Sequence, residues 1–364
     1  MTEVQGTYTK EFSAVARALS ELLDTQDIGA SAAVFLNGEP VVDIWGGHVD
    51  AERTVAWERD TIVNVMSSTK PTTALCALIL ADRGELDLSA PVSTYWPEFA
   101  AAGKENVLVR HLLSHTAGLP DWPGKLVAED LYDWTAVTDQ LAALPTQWEP
   151  GTAAGYHSIT FGFLVGEVVR RVTGRSIGRF LAEEAAGPLG ADFHIGLGAQ
   201  DDARVARLYP PPSQTDDFAS SGPDYDATGG IRVKDANTEA WRRAEIPAAN
   251  GFGNARGIAC IQSALSNGGV VGGVRLLSEE GCEPAWHVEY SGEDRVLGQP
   301  ASYGAGFGVF GNTFGWGGWG GSLVMNDHVS GMTVAYAMNQ MLDPRAQQDH
   351  RGLAIVAAAY EGLG

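Results

Sequence analysis

The sequence predicts an α/β (α+β) fold in which both ends of the chain build one antiparallel sheet. Residues 10–24 carry apolar side chains at helical spacing. Two β-rich runs then meet at Asn37-Gly38, a dipeptide that supplies the two positive-φ positions of a tight hairpin. Two further strand-like runs flank residues 326–330, and residues 351–363 have the pattern of a helix. Helices beside strands at both ends indicate a sheet flanked by N- and C-terminal helices.

The middle of the chain predicts a second, mainly helical lobe. Between residues 67 and 269 the apolar residues mostly recur at helical spacing, and the connections are long and rich in polar residues, proline and glycine. We therefore predict a sheet domain from residues 1–66 and 270–364 and a helical domain from residues 67–269. The active site is expected in the cleft between them.

Composition and charge exclude several classes of protein. Of the 364 residues, 45% are hydrophobic and 19% are charged, which is typical of a globular protein and not of a disordered chain. Asp and Glu number 45 against 24 Lys and Arg, and the net charge of −21 opposes binding to nucleic acid or to anionic membranes. No apolar run approaches the ~18 residues of a membrane span. Three widely separated cysteines and a charged N-terminal segment lead us to expect a cytoplasmic protein.

Ser67 and Lys70 form the sharpest local signal. They are followed by an apolar run with the pattern of a buried helix that ends near Gly84. Pro71 fits the first turn of that helix, so Ser67 lies at or just before its N-terminus and Lys70 lies on the same face one turn on. Such a serine is suited to attack a carbonyl, and a buried neutral amine is suited to accept its proton. The alternative, that Ser67 only caps the helix, stays open at this point.

Tyr156 and Ser158 form a second signal. They follow a turn that contains glycine and precede a helical pattern, so the phenol is expected at a junction between a loop and a helix. A phenol in that position is suited to share a proton with Lys70, and Ser158 is suited to add a hydrogen bond. A purely structural tyrosine is the alternative.

The third signal lies in the glycine-dense stretch 304–321, where Trp316, Gly317 and Gly318 lead towards the penultimate strand. Glycines let a backbone approach a ligand closely, and an N–H at a strand edge is suited to complete an oxyanion hole. The stretch is not a phosphate loop, because no Gly-Lys-Ser or Gly-Lys-Thr follows it, and it lacks the context of a dinucleotide fingerprint.

Together, Ser-x-x-Lys at 67–70, Tyr-x-Ser at 156–158 and Trp-Gly-Gly at 316–318 resemble the motifs of the serine β-lactamase and penicillin-binding-protein superfamily, in its class C-like branch. The segments LLSHTAGLP at 112–120 and WEPGT at 148–152 are similar to the same branch. The resemblance covers nearly the whole chain. Among the members of the superfamily, the sequence most resembles the bacterial family VIII carboxylesterases. This resemblance implies a β-lactamase-like fold, a small-molecule ester as substrate, and neither a cofactor nor a metal.

The resemblance also implies a role for each matching residue. Ser67 matches the acylated nucleophile, Lys70 its partner, and Tyr156 the phenol that completes the proton-transfer set. The backbone N–H groups of Ser67 and Trp319 match the oxyanion hole, and residues 316–318 match the third motif. Which of Lys70 and Tyr156 acts as the base stays open, because the two groups titrate as one unit.

Two departures from the superfamily pattern narrow the expected substrate. β-Lactamases and peptidases of this type usually carry Lys-Thr-Gly or His-x-Gly where Trp316 begins the third motif, and Asn where Ser158 stands. The lost cation and the lost amide favour a neutral ester, short-chain or bulky, over a penicillin or a D-alanyl peptide.

The substrate pocket is expected to be mostly apolar and aromatic. Its predicted aromatic residues are Trp122, Tyr132, Trp134, Trp316 and Trp319. For the first three, an ordinary core or surface position is the alternative.

Other functions fit the sequence less well. A Ser-His-Asp α/β-hydrolase needs a Gly-x-Ser-x-Gly elbow, which the sequence lacks. His111 and His115 are spaced for zinc on one helix face, but no Glu follows the first and no third ligand is suggested, so we expect His115 to hold a turn. An amidase, peptidase or β-lactamase, an acyltransferase, and a silent binding protein with the same fold remain alternatives.

Overall fold

The computed structural model describes residues 2–124, 127–217, 231–342 and 349–364. The strands in these ranges are β1 (Gln5–Tyr8), β2 (Gly29–Leu36), β3 (Glu39–Gly47), β4 (Val63–Asn64), β5 (Phe193–Ile195), β6 (Gly251–Gly253), β7 (Val270–Val271), β8 (Val274–Arg275), β9 (Tyr290–Asp294), β10 (Gln299–Tyr303), β11 (Gly308–Phe310), β12 (Thr313–Gly317), β13 (Leu323–Asp327) and β14 (Met332–Met338). The α-helices are α1 (Ser13–Thr25), α2 (Lys70–Asp82), α3 (Val109–Leu113), α4 (Trp134–Ala143), α5 (Thr160–Thr173), α6 (Ile177–Leu181), α7 (Gly187–Leu189), α8 (Val233–Ala236), α9 (Glu239–Arg243), α10 (Ala255–Ser266), α11 (Glu279–Cys282) and α12 (Arg351–Glu361).

One antiparallel sheet of nine strands dominates the part of the chain described. Its order is β1-β3-β2-β14-β13-β12-β11-β10-β9, so strands from the two ends of the chain meet at its centre. There β2 pairs with β14 from Ala30↔Met338 to Leu36↔Met332. The prediction of a sheet built from both termini is confirmed, together with the helices beside it.

Two hairpins fix the register of the central strands. β2 and β3 are joined by Asn37 at φ 54° and Gly38 at φ 77°, the two left-handed positions that the dipeptide predicts. β13 and β14 are joined by a turn that ends at Gly331 with φ 68°. The N–H of Asn37 donates to the carbonyl of Gly331 at 2.8 Å, so the tips of the two hairpins are tied together at one end of the sheet.

The centre of the sheet is covered on both faces. On one face α1 and α12 pack against each other and against β2, β3, β13 and β14. On the other face lies α10, where Ser266 Oγ is 2.8 Å from Thr333 Oγ1 of β14 and the N–H of Ala255 donates to Ser31 Oγ of β2. α10 falls within the range predicted for the helical domain but packs on the sheet. The division into two domains stays a prediction.

α2 is the central helix beside the sheet. Every residue from Lys70 to Leu80 is buried, and α5, α6, α10 and α11 pack around the helix. Apolar residues on all sides are typical of a core helix, and Pro71 lies in its first turn as predicted. In the ranges given above, no helix is long and apolar enough to cross a membrane.

Candidate active site

Ser67, Lys70 and Tyr156 meet at the N-terminus of α2. Lys70 Nζ lies 3.0 Å from Ser67 Oγ and 2.8 Å from Tyr156 OH, and Tyr156 OH lies 2.8 Å from Ser67 Oγ. The three polar atoms therefore form a closed triangle of hydrogen bonds. Such a triangle allows a proton of the serine hydroxyl to move to either neighbour.

A strained turn presents Ser67 to the cleft. The chain leaves β4 and passes through Met66, whose φ of 47° and ψ of −131° form a conformation that L-residues rarely adopt. A 3-10 turn over Ser67–Thr69 then leads into α2. Thr69 Oγ1 holds this turn, because it donates to the carbonyl of Met66 at 2.6 Å and accepts from the N–H of Gly251 at 2.8 Å. Backbone strain supported by neighbouring hydrogen bonds is a common feature of functional sites.

The amine of Lys70 is buried and its environment favours the neutral form. The side chain is fully buried, and Nζ donates to the carbonyl oxygen of Ala248 at 3.0 Å in addition to its two contacts in the triangle. Burial lowers the pKa of Lys70 below its ordinary value of 10.5, and the neighbouring Tyr156 opposes this shift. A lysine with a lowered pKa is suited to accept and return a proton near neutral pH.

Asp294, which the sequence did not single out, fixes the position of Tyr156. Its buried carboxylate accepts from the backbone N–H groups of Tyr156 at 3.1 Å, Val296 at 2.8 Å and Leu297 at 2.7 Å. The hydroxyl of Tyr303 donates to its other oxygen at 2.7 Å. Four donors compensate for the burial of this carboxylate, and they tie the loop that carries Tyr156 to the end of β9.

Aromatic rings support Tyr156 from the side. The ring of Trp316 stacks on that of Tyr156 with centroids 5.5 Å apart and an interplanar angle of 30°. His115, at φ 59°, packs its ring 5.5 Å from Tyr156 and 5.1 Å from Trp316, and its Nδ1 accepts from the N–H of His157 at 3.1 Å. Burial lowers the pKa of His115 well below its ordinary value. His115 therefore packs behind the phenol, while the turn at residues 117–120 that it was expected to hold is bound by His157, whose Nε2 accepts from the N–H of Leu119 at 3.0 Å.

Ser322 ties the third motif to the turn that carries Ser67. Its hydroxyl donates to the carbonyl of Val65 at 2.7 Å and lies 3.0 Å from Ser68 Oγ, while its own carbonyl accepts from the N–H of Gly318 at 2.7 Å. A Cβ at Gly318 would lie 2.3 Å from the carbonyl oxygen of Val65, so only glycine permits this approach. The segment that continues into Trp319 is thereby held beside Ser67.

A buried arginine holds the loop that follows Trp319. Arg351 Nη2 donates to the carbonyl of Gly320 at 2.6 Å, and Nη1 donates to the carbonyl of Gln340 at 2.8 Å. Its charge is balanced by Asp27 at 2.5 Å and Asp349 at 2.6 Å. The start of α12 therefore fixes the backbone of the glycine-rich loop.

One cavity of about 650 Å³ contains most of the predicted site residues. Ser67, Tyr156 and Ser158 line it together with residues 316–319 of the third motif. Lys70 lies beneath its floor, fully buried. The fold thus brings together residues that are far apart in the chain.

Trp122, Tyr132 and Trp134 do not line this cavity. Trp122 and Trp134 pack on Phe163 of α5 with ring centroids 6.3 Å and 5.1 Å away, and the indole N–H of Trp134 donates to Glu167 at 2.7 Å. Tyr132 is half-buried against the same core. The structure corrects the expected pocket here, because these rings are used for packing within the helical part of the chain.

The zinc alternative finds no support in the part of the chain described. No group of three or more His, Cys, Asp or Glu side chains there is arranged to hold a metal ion. Nδ1 of His111 accepts from the N–H of Leu108 at 3.2 Å, so this ring is used in the first turn of α3.

Comparison with known proteins identifies the family. The family model described as Beta-lactamase matches residues 15–358. The chain therefore belongs to the beta-lactamase family, and its sheet and helices have the beta-lactamase-like fold.

Three relatives show how the chain stands within that family. It is 35% identical to "Esterase/beta-lactamase LipL" of Mycobacterium tuberculosis (strain ATCC 25618 / H37Rv), over 96% of this chain and 86% of LipL. It is 41% identical to a family VIII carboxylesterase of known crystal structure, with a TM-score of 0.91 over 99% of this chain and 100% of the other. A penicillin-binding-protein homologue from Caulobacter crescentus is 35% identical, with a TM-score of 0.91 and the same shares covered.

Proposed function

We propose that this chain is a serine carboxylesterase that cleaves neutral carboxylic esters through an acyl-serine intermediate. The observation that carries the proposal is the mutual contact of Ser67, Lys70 and Tyr156, whose polar atoms lie within 3.0 Å of one another. The similarity to a family VIII carboxylesterase and to a mycobacterial protein named an esterase supports the same reaction class.

The reaction follows two acyl-transfer steps. In the first, Oγ of Ser67 attacks the ester carbonyl carbon while its proton passes to the pair formed by Lys70 and Tyr156. Collapse of the tetrahedral intermediate breaks the bond to the alcohol oxygen, which takes that proton and leaves. In the second, water gives a proton to the same pair and attacks the acyl carbon, and Oγ of Ser67 leaves with that proton. At the end of each turnover the pair formed by Lys70 and Tyr156 has the protonation state with which it started.

The oxyanion of each intermediate is proposed to accept hydrogen bonds from the backbone N–H groups of Ser67 and Trp319. Two observations support this assignment. Ser67 opens the 3-10 turn into α2, so its N–H belongs to the positive end of a helix. Ser322 binds the backbone on both sides of the gap, at Val65 and at Gly318, and so keeps the two proposed donors in one place.

The lining of the cleft supports a neutral substrate. By the resemblance described above, Trp316 stands at the position of the lysine or histidine that begins the third motif of β-lactamases and peptidases, and Ser158 stands at the position of their asparagine. Among the lining residues that the structure describes, Asp349 is the one charged side chain, and it pairs with Arg351. The described part of the lining therefore offers no cation to a substrate carboxylate, and an uncharged small-molecule ester fits it better.

Two further features of the chain are proposals of the same kind. We propose that residues 1–66 and 270–364 form one domain and residues 67–269 the other, as the packing of α2 against α5 and α6 supports. We propose a cytoplasmic location, for which three free cysteines, two of them buried, are a supporting observation.

The proposal is tested by comparing ester and β-lactam turnover. The protein is incubated with p-nitrophenyl acetate, p-nitrophenyl butyrate and nitrocefin, beside Ser67→Ala and the matched control Ser93→Ala, which lies outside the cleft. We expect both esters to be hydrolysed, the turnover to be lost in Ser67→Ala, and the control to retain it. Ester turnover that survives Ser67→Ala would contradict the proposal, and nitrocefin turnover above ester turnover would replace it with a β-lactamase.

A further inference from the structure

A second apolar surface adjoins the proposed active site on one face of the large sheet. On β13 the half-buried Leu323 and Met325 point to this face. Their cross-strand partners on β12 are Gly317 and Gly315, and Gly315 pairs in turn with Gly308 of β11. Directly paired residues share a face of a sheet, so three glycines form a floor beside two apolar side chains. We call these five residues together with Phe310 the sheet trough.

Two of the glycines are not required by the backbone. Neither Gly308 nor Gly317 has a positive φ. A Cβ at Gly317 would find its nearest neighbours at 3.7 Å and 3.9 Å, which is ordinary contact. A Cβ at Gly308 would lie 3.2 Å from the movable ring of Phe310 and 3.5 Å from the carbonyl oxygen of Gly315, which is again ordinary contact. Gly315 differs, because a Cβ there would lie 2.1 Å from the carbonyl oxygen of Val324. The role left for Gly308 and Gly317 is to keep the floor of the trough open.

The walls of the sheet trough are apolar and open to solvent. The side chain of Phe310 is 63% exposed, and the neighbouring Leu297 is 37% exposed. Both line the same cavity as Ser67 and Tyr156, so the apolar surface is continuous with the proposed nucleophile. Exposure of a large apolar side chain such as Phe310 to water is unfavourable, and binding of an apolar ligand removes that apolar surface from water. An exposed apolar patch beside a reactive group is typical of a binding groove.

We propose that the sheet trough binds one extended aliphatic chain of the substrate, so that the substrate class is a neutral ester with an aliphatic chain of medium length. The proposal rests on the serine esterase function proposed above. It departs from the short-chain or bulky ester expected from the sequence, because periodicity and motifs do not reveal that β11, β12 and β13 present glycines and apolar side chains in one row. The aliphatic chain of the substrate belongs either to the acyl group or to the alcohol. The experiment below distinguishes these two possibilities.

Burial of methylene groups gives the expected size of the effect. Complete removal of one methylene from water raises kcat/KM about four-fold. A trough that is open on one side removes roughly half of each methylene from water, so about a two-fold rise per methylene is expected. The rise ends where the chain passes beyond Phe310.

The test measures kcat/KM along two substrate series below the concentration of micelle formation. The acyl series is p-nitrophenyl acetate, butyrate, hexanoate, octanoate and decanoate. The alcohol series is ethyl, butyl, hexyl and octyl acetate, followed by acid release. We expect kcat/KM to rise with chain length in one series and to change little in the other.

Three variants locate the effect in the sheet trough. Phe310→Asp places a charge on the exposed wall of the trough. Gly308→Val fills its floor at a buried position, so circular dichroism and Tm verify that both variants keep the fold. Val329→Asp is the matched control, because Val329 is 67% exposed on the turn between β13 and β14. We expect Phe310→Asp and Gly308→Val to lower the ratio of octanoate to acetate kcat/KM, or the matching octyl to ethyl ratio, at least five-fold, and Val329→Asp to leave it as in the unmodified protein.

The outcomes separate this proposal from the one on which it rests. Ester turnover that survives Ser67→Ala overturns the esterase assignment itself. Turnover that depends on Ser67, with kcat/KM flat or falling along both series, overturns the sheet trough alone. A rise with chain length that both Phe310→Asp and Gly308→Val leave unchanged also overturns it, because the chain then binds elsewhere.

Discussion

Tyr156 OH lies 2.8 Å from Lys70 Nζ, although the two residues are 86 positions apart in the chain. Lys70 is held by the first turn of α2, and Tyr156 by the loop that Asp294 fixes to β9. The site therefore depends on contact between the helical part of the chain and the large sheet.

Replacing Tyr156 by phenylalanine removes one corner of the hydrogen-bonded triangle. We expect kcat for p-nitrophenyl butyrate to fall by about 10²- to 10⁴-fold, the usual contribution of proton transfer by a side chain. The ring keeps its stacking on Trp316, so Tm should change little. Tyr132→Phe is the matched control, since Tyr132 lies outside the cavity, and retained kcat in Tyr156→Phe would contradict the role given to the phenol.

Activity should rise with pH through the ionisation of the pair formed by Lys70 and Tyr156. Burial lowers the pKa of Lys70, and only the neutral amine accepts a proton, so the acid limb of kcat/KM should lie below the ordinary lysine value of 10.5. The measurement is a profile of kcat/KM from about pH 5 to about pH 10. Lys70→Arg, which keeps the charge and cannot act as a base, should be inactive throughout. An active Lys70→Arg variant would show that the amine is not needed.

Removing the carboxylate of Asp294 should impair catalysis more than substrate binding. In Asp294→Ala, three backbone N–H groups lose their acceptor, at a cost of about 1–3 kcal/mol each, so Tm should fall. Asp294→Asn keeps one acceptor oxygen and should fold better. Because Tyr156 is then less well placed, we expect kcat of Asp294→Asn to fall about 10- to 100-fold with KM nearly unchanged. A change in KM alone would argue for a direct contact with substrate.

The protein should lose stability as the pH falls from 6.5 towards 4 because His157 is buried in its neutral form. Nδ1 donates to the carbonyl of Gly155 at 2.6 Å, and Nε2 accepts from the N–H of Leu119 at 3.0 Å. Burial lowers the pKa of His157 to about 4, so the unfolded chain takes up the proton first and the folded state loses up to about 1.4 kcal/mol per pH unit in this window.

A glutamine at position 157 can make both hydrogen bonds without titrating. We therefore expect the Tm of His157→Gln to fall less than that of the unmodified protein between pH 6.5 and pH 4, as followed by calorimetry. Equal slopes for the two proteins would show that other groups cause the acid sensitivity.

The elements that the sequence predicted well are those with local signals. Asn37-Gly38 defines its hairpin through two adjacent φ angles, and Ser67, Pro71 and Lys70 define the start of α2 through spacing within one turn. Such signals depend on neighbours in the chain and need no knowledge of the tertiary structure. The β-lactamase-like fold followed from the order of three such motifs and is confirmed by the family match.

The residues that the sequence could not place are those whose roles depend on distant contacts. Trp122 and Trp134 are aromatic residues of the kind that often line a substrate pocket. Their packing against Phe163 depends on how α4 and α5 pack in the tertiary structure. Asp294 and Ser322 look like ordinary polar residues in the sequence. Their roles arise from partners 138 and 257 positions away.

The acyl-serine intermediate is tested by finding where the acyl group is bound during turnover. The protein is mixed with p-nitrophenyl butyrate, quenched in acid within the first turnovers and digested, and the peptides are analysed by mass spectrometry. We expect one butyryl group on the peptide that contains Ser67, attached to Ser67 itself, and none in Ser67→Ala. A butyryl group on another residue, or ester turnover without any acyl-enzyme at Ser67, would contradict this expectation.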